Sequence, residues 1–304
     1  MRVCLMIEGQ EGVTWQEWRA LAEAVESAGL DGLFRSDHYT SFHGPPGPAL
    51  DAWATIAALA PVTSRIRLGT LVSPATFRHP SELARVAATA DHASGGRVEV
   101  GVGAGWFEQE HRQNGFEFPP VAERLGRLEE YAEVLVRSWS GEAFDYRGTY
   151  FVLEGQRALP APLQVPHPPL IVGGRGGPRS VALAARYGQE YNTAFFGVDE
   201  CRALRRRIDE ACLGAGRDPA ALPLSLMALV AVGADGREAE DRLTRFLERF
   251  RGPRERCHAG TVEEMAALLA SYEEAGVTRV FLQHPDRQDA AAIELLGELA
   301  RRVA

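Results

Sequence analysis

The stretch DGLFRSDHYT, residues 31–40, begins as a buried strand and ends in a cluster of polar side chains. Leu33 and Phe34 are apolar, and polar or ionisable residues then follow without a break from Arg35 to Tyr39. In folds built on parallel strands, reactive side chains collect where the strands end. The stretch therefore predicts a strand that delivers Asp37 and His38 to a functional rim.

Similar strands recur along the chain, with helices between them. Short apolar runs alternate with longer segments whose apolar residues recur at helical spacing. The predicted strands cover 2–9, 30–36, 66–74, 97–105, 168–174, 189–197, 222–233 and 277–285. The predicted helices cover 14–29, 49–60, 80–96, 121–139, 178–187, 199–213, 236–249, 261–276 and 287–302. Thr14, with Glu17 three residues later, predicts the start of the first helix, and Gly29 predicts its end.

Eight strands, most of them followed by a helix, predict the α/β class and a (β/α)8 TIM barrel. No Ser/Gly linker divides the chain, so we expect a single domain over residues 1–304. Two excursions, at 106–120 and 140–167, interrupt the alternation, and segments of this length in a compact domain are usually functional loops. A doubly wound parallel sheet is the alternative architecture.

The composition excludes several classes of function. The formal net charge of −8 argues against a nucleic-acid partner. All 33 basic residues are Arg, because the sequence contains no Lys. Lysine Schiff bases, pyridoxal-phosphate attachment and a Walker phosphate loop are therefore excluded. The arginine run at 205–207 is interpreted as a solvated helix face.

Cysteine usage and hydropathy predict a cytoplasmic protein without a membrane anchor. The four cysteines show no CxxC spacing, which favours reduced thiols. The N-terminal residues lack the apolar run and cleavage site of a signal peptide. No window reaches the ~18 uninterrupted apolar residues that a transmembrane helix needs.

Two glycine-rich stretches follow predicted strands. In IVGGRGGPRS, residues 171–180, four glycines and Arg175 join a strand to a helix that begins near Pro178. Backbone amides at such a helix start favour an anion, and Arg175 can add a charged contact to a phosphate. The glycines at 101, 103 and 105 would let a flat ring lie against the backbone, with close strand packing as the alternative reading.

Other site chemistries have little support in the sequence. The eight histidines lack HxH and HExxH spacing, so no metal site is expected. No GxSxG occurs, which argues against a serine nucleophile. A barrel enzyme acting on phosphorylated sugars would need acids at several strand ends, and Glu8 and Glu108 are the obvious candidates.

Taken together, the motifs resemble those of the luciferase-like monooxygenase superfamily, and most closely its branch that uses the deazaflavin coenzyme F420. The resemblance runs over nearly the whole chain. It is carried by GLDGLFRSDHY, RLGTLVSPATFRHP, RVEVGVGAGWFEQEHRQNGFEFP, ERLGRLEEYAEVLVRSW, LIVGGRGGPRSVALAARYGQEYN and AGTVEEMAALLASYEEAGVTRVFLQHP.

The resemblance implies a flavin-type ring at the C-terminal face of the barrel. It implies that Asp37 and His38 lie beside the ring as catalytic residues, with His38 as proton donor or orienting group. It also implies a non-proline cis peptide at Thr70–Leu71, and Ser73 near the polar edge of the ring. The expected cofactor contacts are Asp37, His38, Thr70, Leu71, Ser73, Gly103, Gly105, Arg124, Gly173, Gly174, Arg175, Gly176 and Gly177.

The activity implied is hydride transfer between F420 and a small organic substrate, in a protein that is expected to be a homodimer. The chain departs from the pattern in two places. Trp106 stands where the sugar-phosphate dehydrogenases of this branch have Glu, and Ala104 stands near the place where the luciferases have an Arg for the flavin phosphate. Trp106, Phe107, Phe42 and His43 suggest an aromatic mouth for an apolar substrate.

Two other functions fit the same fold. The first is an FMNH2-dependent monooxygenase, which would use FMN to activate oxygen. The second is a barrel that binds a flavin without turnover. A deazaflavin has carbon at position 5 and reacts poorly with oxygen, so the choice of cofactor separates the chemistries.

Overall fold

The computed structural model describes residues 1–42, 44, 47–250, 254–284 and 289–304, without the side chains at 249 and 250. The strands are β1 Arg2–Ile7, β2 Gly32–Arg35, β3 Arg67–Thr70, β4 Ser73–Pro74, β5 Val98–Gly103, β6 Phe144–Arg147, β7 Val152–Gln156, β8 Leu170–Gly173, β9 Glu190–Ala194, β10 Leu224–Val232, β11 Cys257–Gly260 and β12 Val277–Gln283. The helices are α1 Trp15–Ala28, α2 Ala52–Leu59, α3 Pro80–Ser94, α4 Glu108–Asn114, α5 Val121–Trp139, α6 Pro178–Tyr187, α7 Val198–Gly214, α8 Gly236–Phe250, α9 Val262–Glu274 and α10 Ala290–Arg302.

The strands close into a parallel barrel, as the alternating pattern predicted. The order around the ring is β1, β2, β3, β5, β8, β9, β10 and β12, and β12 pairs with β1 to close it. β4 continues the path of β3 and pairs with β5, while β11 adds to the outside of the ring beside β10. All eight predicted strands are present, so the TIM barrel is confirmed and the doubly wound sheet is wrong.

The barrel has an apolar interior and a larger apolar layer beneath its helices. The interior cluster consists of Cys4, Met6, Phe34, Leu71, Ile171 and Phe281, with Val72 and Met227 half-buried at its edge. The outer cluster packs the other faces of the strands against the helices. This alternation follows from the two-residue period of a strand, which sends successive side chains to opposite faces.

The N-terminal end of the barrel interior is filled by charge. Arg279 of β12 binds Glu99 of β5 through Nη2 at 2.7 Å and Glu190 of β9 through Nε at 3.1 Å and Nη2 at 2.7 Å. Arg67 adds a second cation on Glu99 at 2.8 Å. Burial acts to raise the pKa of Glu99, but Arg279 and Arg67 outweigh it and hold that pKa below its usual value. We call these residues the charged plug.

Local signals fix several helix boundaries. Thr14 caps α1 through its side chain, Glu17 completes the reciprocal capping pair, and Gly29 ends the helix at a φ of 84°. The predicted bounds of α5 and α6 match the observed ones at both ends. The predicted ends of the last strand and the start of the last helix run into residues 285–288, which lie outside the described residues.

Both excursions contain regular structure that the periodicity did not predict. Residues 106–120 include the short helix α4, and residues 140–167 include the antiparallel hairpin of β6 and β7. The carboxylate of Glu130 holds the hairpin to α5 by accepting the backbone N–H groups of residues 149–151 at 2.7–3.1 Å. Both segments are therefore packed on the barrel rather than extended as loops.

Candidate active site

The side chains after β2 lie at the C-terminal end of the barrel, which we call the mouth. Ser36 donates to Oε1 of Gln10 at 2.6 Å and accepts the Gly9 N–H at 3.1 Å, so the loops after β1 and β2 are joined. The strand order brings the ends of β1 and β12 beside this loop. The polar run quoted from the sequence therefore forms part of a shared rim.

His38 is held by a buried carboxylate that sequence analysis did not identify. Its Nδ1 lies 2.7 Å from Oε2 of Glu110 on α4, a side chain with no exposed surface. The other oxygen of Glu110 accepts the backbone N–H groups of Tyr39 and Thr40. In the neutral imidazole this arrangement assigns the proton to Nδ1 and leaves the lone pair on Nε2. Among the described residues, His38 Nε2 has no hydrogen-bond partner.

Aromatic rings surround the imidazole, as the sequence suggested. The centroid of His38 lies 4.7 Å from that of Phe42 and 5.9 Å from that of Trp106, and Phe42 also contacts Phe107 at 5.1 Å. Trp106 keeps 63% of its surface exposed, which is high for so large an apolar side chain. His43, the fourth residue assigned to this wall, lies outside the described residues. The wall offers an apolar surface directly beside the imidazole.

Asp37 lies in a buried ionic network next to this wall. Its Oδ2 accepts from Ser73 Oγ at 2.6 Å and from Arg78 Nη1 at 2.6 Å. Arg78 also binds Asp51, which accepts from Tyr39 Oη at 2.8 Å. Burial acts to lower the pKa of Arg78, but the carboxylates of Asp37 and Asp51 outweigh it and raise that pKa. These contacts give Asp37 the geometry of a positioning group, and its role in catalysis remains a prediction.

Thr70 and Ser73 lie next to Asp37 and are themselves buried. Ser73 Oγ accepts from Trp53 Nε1 at 3.0 Å and donates to Asp37, and Thr70 Oγ1 donates to the Gly101 carbonyl at 3.1 Å. Their relative exposures are 2% for Ser73 and 0% for Thr70. Both side chains are therefore held by contacts within the protein, and their contact with a bound ring stays a prediction.

The non-proline cis peptide lies at Leu71–Val72, one residue later than predicted. Leu71 belongs to the barrel interior, and Val72 is half-buried at the mouth. A Cβ added to Gly101, Gly103 or Gly173 would stand 2.7–2.9 Å from a methyl group of Val72. The glycines of β5 and β8 therefore accommodate Val72, and the contact of Gly103 with a bound ring stays a prediction.

Gly105 also has a structural reason to be glycine. Its φ is +78°, and a Cβ there would stand 2.8 Å from Thr76 Oγ1 and 3.4 Å from His111 Nε2. Its carbonyl accepts from Arg124 Nε at 3.2 Å, and Arg124 also donates to the Pro119 carbonyl. Arg124 thus links the end of β5 to the start of α5. Burial lowers the pKa of Arg124.

The loop Gly173–Gly177, which we call the glycine loop, lies at the same end of the barrel as His38. Gly176, at a φ of +74°, donates its N–H to Tyr191 Oη at 2.8 Å, and a Cβ on Gly174 would stand 2.6 Å from the same oxygen. Gly177 caps α6 without a side-chain hydrogen bond, and Arg175 is exposed beside it. Within the described part of the chain, Arg175 has no acidic partner.

Arg207 reaches the glycine loop from α7. Its Nη1 donates to the Gly176 carbonyl at 2.8 Å. Arg205, two residues earlier, donates to the Leu222 carbonyl at 2.7 Å and binds Asp209. The interpretation of 205–207 as a solvated face holds for Arg206 and Arg207, which are exposed, whereas Arg205 is half-buried. Near α6, Arg179 binds Glu129 and the Ala122 carbonyl, so the starts of α5 and α6 are neighbours.

The described residues contain neither a candidate metal site nor a candidate membrane-spanning helix. No three His, Cys, Asp or Glu side chains lie together so that they could hold a metal ion. No helix in the described ranges has the length and apolar content needed to cross a membrane.

The fold and the rim together define a class of protein. Residues 2–256 match the model of the luciferase-like monooxygenase family. The chain belongs to this family of oxidoreductases, as the resemblance of its motifs predicted.

Individual relatives support the same assignment. An uncharacterized protein of Mycobacterium tuberculosis is 32% identical over 255 residues, covering 84% of this chain and 77% of the relative. The F420-dependent glucose-6-phosphate dehydrogenase of Microbacterium testaceum is 36% identical over 170 residues, covering 56% of this chain and 49% of the relative. That second match spans about half the length of each protein.

Among solved structures, the fold is similar to that of an F420-dependent secondary alcohol dehydrogenase determined with an F420–acetone adduct. The TM-score is 0.87, the sequence identity is 21%, and the alignment covers 100% of this chain and 99% of the other. At this identity the likeness establishes the fold, and it agrees with the closed barrel described above.

The site residues that sequence analysis did not identify lie far along the chain from the residues that they contact. Glu110 stands 72 positions from His38, in a segment interpreted as a loop. The run of apolar and acidic residues in GWFEQEH is the one local signal, because it can form a short helix with Glu110 facing inward. The sequence predicts no role for Arg78, although this residue pairs with Asp37.

Exchanging Glu110 for Gln tests the link between Glu110 and His38. The amide cannot carry the charge that favours a proton on Nδ1, so we expect kcat to fall by about tenfold or more. The upper limit of this fall is the ~10²–10⁴-fold that a positioned proton-transfer group contributes to the rate. Cofactor affinity should stay unchanged. Steady-state kinetics and ¹⁵N NMR of the imidazole check this, and an unaltered tautomer with unaltered kcat would refute the assignment. Glu108→Gln, on the same helix with a side chain 59% exposed, is the matched control.

Proposed function

We propose that this protein is an F420-dependent oxidoreductase that transfers a hydride between the deazaflavin and a small organic substrate. The observation that carries the proposal is the His38–Glu110 pair, which leaves His38 Nε2 without a described partner beside an aromatic wall. The relatives named for F420-dependent dehydrogenation support this choice of cofactor.

The residues at the mouth fit a ring with an anionic tail. The glycine loop, the uncapped start of α6 and the arginines at 175 and 207 provide donors and positive charge for a phosphate. Val72 and the aromatic wall provide apolar surfaces for a ring. When bound, the deazaflavin would supply or accept the hydride at its C5.

Side chains of the protein would then accept and donate the proton. With Nδ1–H donated to Glu110, His38 Nε2 can accept the proton of a substrate hydroxyl during oxidation and return it during reduction. Asp37, Ser73 and Arg78 fix the loop that carries His38. Phe42 and Trp106 exclude water from one side of the imidazole.

An FMNH2-dependent monooxygenase is the alternative function, because the family whose model matches the chain is named for monooxygenases. The glycine loop suits the phosphate of either cofactor, so it does not separate them. A flavin-binding barrel without turnover is the third reading. The cytoplasmic location, the homodimer and the single-domain organisation stay predictions.

Equilibrium titration of the purified protein with F420 and with FMN tests the proposal. We expect F420 to bind at least about tenfold more tightly, a difference of about 1.4 kcal/mol. A panel of secondary alcohols and ketones would then be assayed with oxidised or reduced F420. Tight binding of FMN alone, with oxygen consumption by the reduced flavin, would favour the monooxygenase, and F420 binding without turnover of any compound would favour the binding protein.

A further inference from the structure

The mouth contains a carboxylate that the proposed chemistry does not use. Strand β1 sends Cys4 and Met6 into the barrel interior, and alternation places Glu8 on the same face at the mouth. The amide of Gln283 on β12 contacts both Met6 Sδ, at 3.4 Å, and Glu8 Oε1, which confirms this position. Glu8 is half-buried, so it lies at the floor of the opening rather than outside it.

Neutral amides hold this carboxylate in place. Gln10 Nε2 donates to Oε2 at 2.9 Å, and Gln283 Nε2 donates to Oε1. Gln10 is fully buried and is itself bound by Ser36, two residues before His38. Arg35 lies on the other face of its strand, where it stacks on Trp18 at 4.9 Å and binds Thr55 at 2.9 Å. No described residue forms an ion pair with Glu8 within 4 Å, and Arg35 interacts with it electrostatically at longer range.

The charge around this side of the mouth is predominantly negative. The loops after β1 and β2 contribute four carboxylates, and side chains hydrogen-bonded to these loops add one carboxylate and two arginines. These described residues are Glu8, Glu11, Asp37, Asp51, Glu110, Arg35 and Arg78. Arg175 and Arg207 form no ion pair with a described residue, and they lie across the barrel at the glycine loop. Such a field attracts a cationic ligand to the first side and an anionic group to the second.

We propose that Glu8 is a specificity-determining residue that binds a protonated amine on the substrate, while the aromatic wall binds its apolar body. This inference rests on the proposed function for the placement of the substrate. A carboxylate oriented by neutral amides pairs well with an ammonium group, and aromatic faces such as Phe42 and Trp106 favour a cation. The substrate class is therefore an apolar amine, and anionic compounds are excluded.

Binding of three matched probes tests the inference without any need for turnover. Phenylpropylammonium, phenylpropanol and phenylpropanoate share one apolar body and differ in charge. We expect the ammonium compound to bind the wild-type protein about tenfold more tightly than the alcohol, and the carboxylate compound to bind least, by titration calorimetry and by quenching of Trp106 fluorescence. Glu8→Gln should bring the ammonium compound to the affinity of the alcohol, while Glu108→Gln should change nothing.

Two results would overturn the inference: a wild-type protein that does not prefer the ammonium compound, or a Glu8→Gln variant that retains the preference. If that variant does not fold, as judged by its thermal unfolding, the wild-type order of affinities decides. Failure of the proposed function is read separately. If the protein does not bind F420 but prefers the ammonium compound, only the proposed function is refuted. If it uses F420 but does not prefer the ammonium compound, only this inference is refuted.

Discussion

Replacing His38 by Ala is expected to lower kcat with F420 by ~10²–10⁴-fold, the usual contribution of a positioned acid or base. The reason is that Glu110 fixes Nδ1–H, so that Nε2 is the group left to exchange a proton with the substrate. Cofactor affinity should fall much less than kcat, because His38 is one of many expected contacts with the cofactor. Turnover of the best alcohol or ketone, followed by the cofactor's absorbance, measures the loss.

The matched control is His92→Ala. His92 is exposed on α3, and the one described hydrogen bond of its side chain is to the Ala161 carbonyl at 2.8 Å. That variant should keep the wild-type rate. If His38→Ala also keeps it, His38 is not the proton-transfer group, and the chemistry assigned to the rim is wrong.

Replacing Arg279 by Met is expected to lower the free energy of unfolding at neutral pH by ~3–5 kcal/mol, because it leaves two buried carboxylates without their shared cation. Arg279 and Glu99 keep 1% and 3% of their side-chain surfaces exposed, so water cannot replace the lost contacts. Chemical denaturation of both proteins measures the difference.

The pH dependence of this variant follows from the same groups. In the wild type, Glu190 has a raised pKa because of burial, whereas Arg279 and Arg67 outweigh the burial of Glu99 and lower its pKa. Without Arg279, burial raises the pKa of both carboxyl groups above the unfolded value of ~4.3. A raised folded pKa means that the native state binds protons more readily, so stability is recovered as the pH falls towards that value. The difference between variant and wild type should therefore narrow from pH 7 to pH 5.

Two controls distinguish the effect of the charged plug on stability from the effect of removing any arginine. Arg2→Met removes an arginine that is 50% exposed and lies 3.7 Å from Glu190, and it should cost less than ~1 kcal/mol. Adding Glu99→Gln and Glu190→Gln to Arg279→Met should restore most of the lost stability, since no buried carboxylate is then left without a cation. The half-buried Arg67 loses Glu99 but keeps its contacts with Gln164 and the Gly96 carbonyl. A loss that the triple variant does not recover would assign the effect to packing.

The sequence predicted the barrel well because its signals are local. Each strand is a short apolar run between helices of matching period, and Thr14 and Gly29 mark the ends of the first helix by backbone chemistry alone. The hairpin at 144–156 was missed because its strands have only four and five residues. In β6, Phe144 and Tyr146 alternate with polar residues over just four positions, and β7 shows no such alternation. A carboxylate on α5, Glu130, stabilises the hairpin through tertiary contacts instead.

The candidate site was predicted only in part because its contacts join distant segments. Asp37, His38 and the glycine loop could be assigned since parallel strands end at one face. Glu110 and Val72 could not, because each acquires its role by meeting residues about 30 to 100 positions away. Gly101 and Gly103 show the same limit, since the sequence alone does not distinguish a glycine that admits a ligand from one that admits Val72.

A crystal structure of the protein soaked with F420 tests the central claim most directly. We expect the deazaflavin ring beside His38 and Val72, with its phosphate at Gly173–Gly177. Density for F420 at any other surface, or a crystal that takes up FMN but no F420 under the same conditions, would contradict the account.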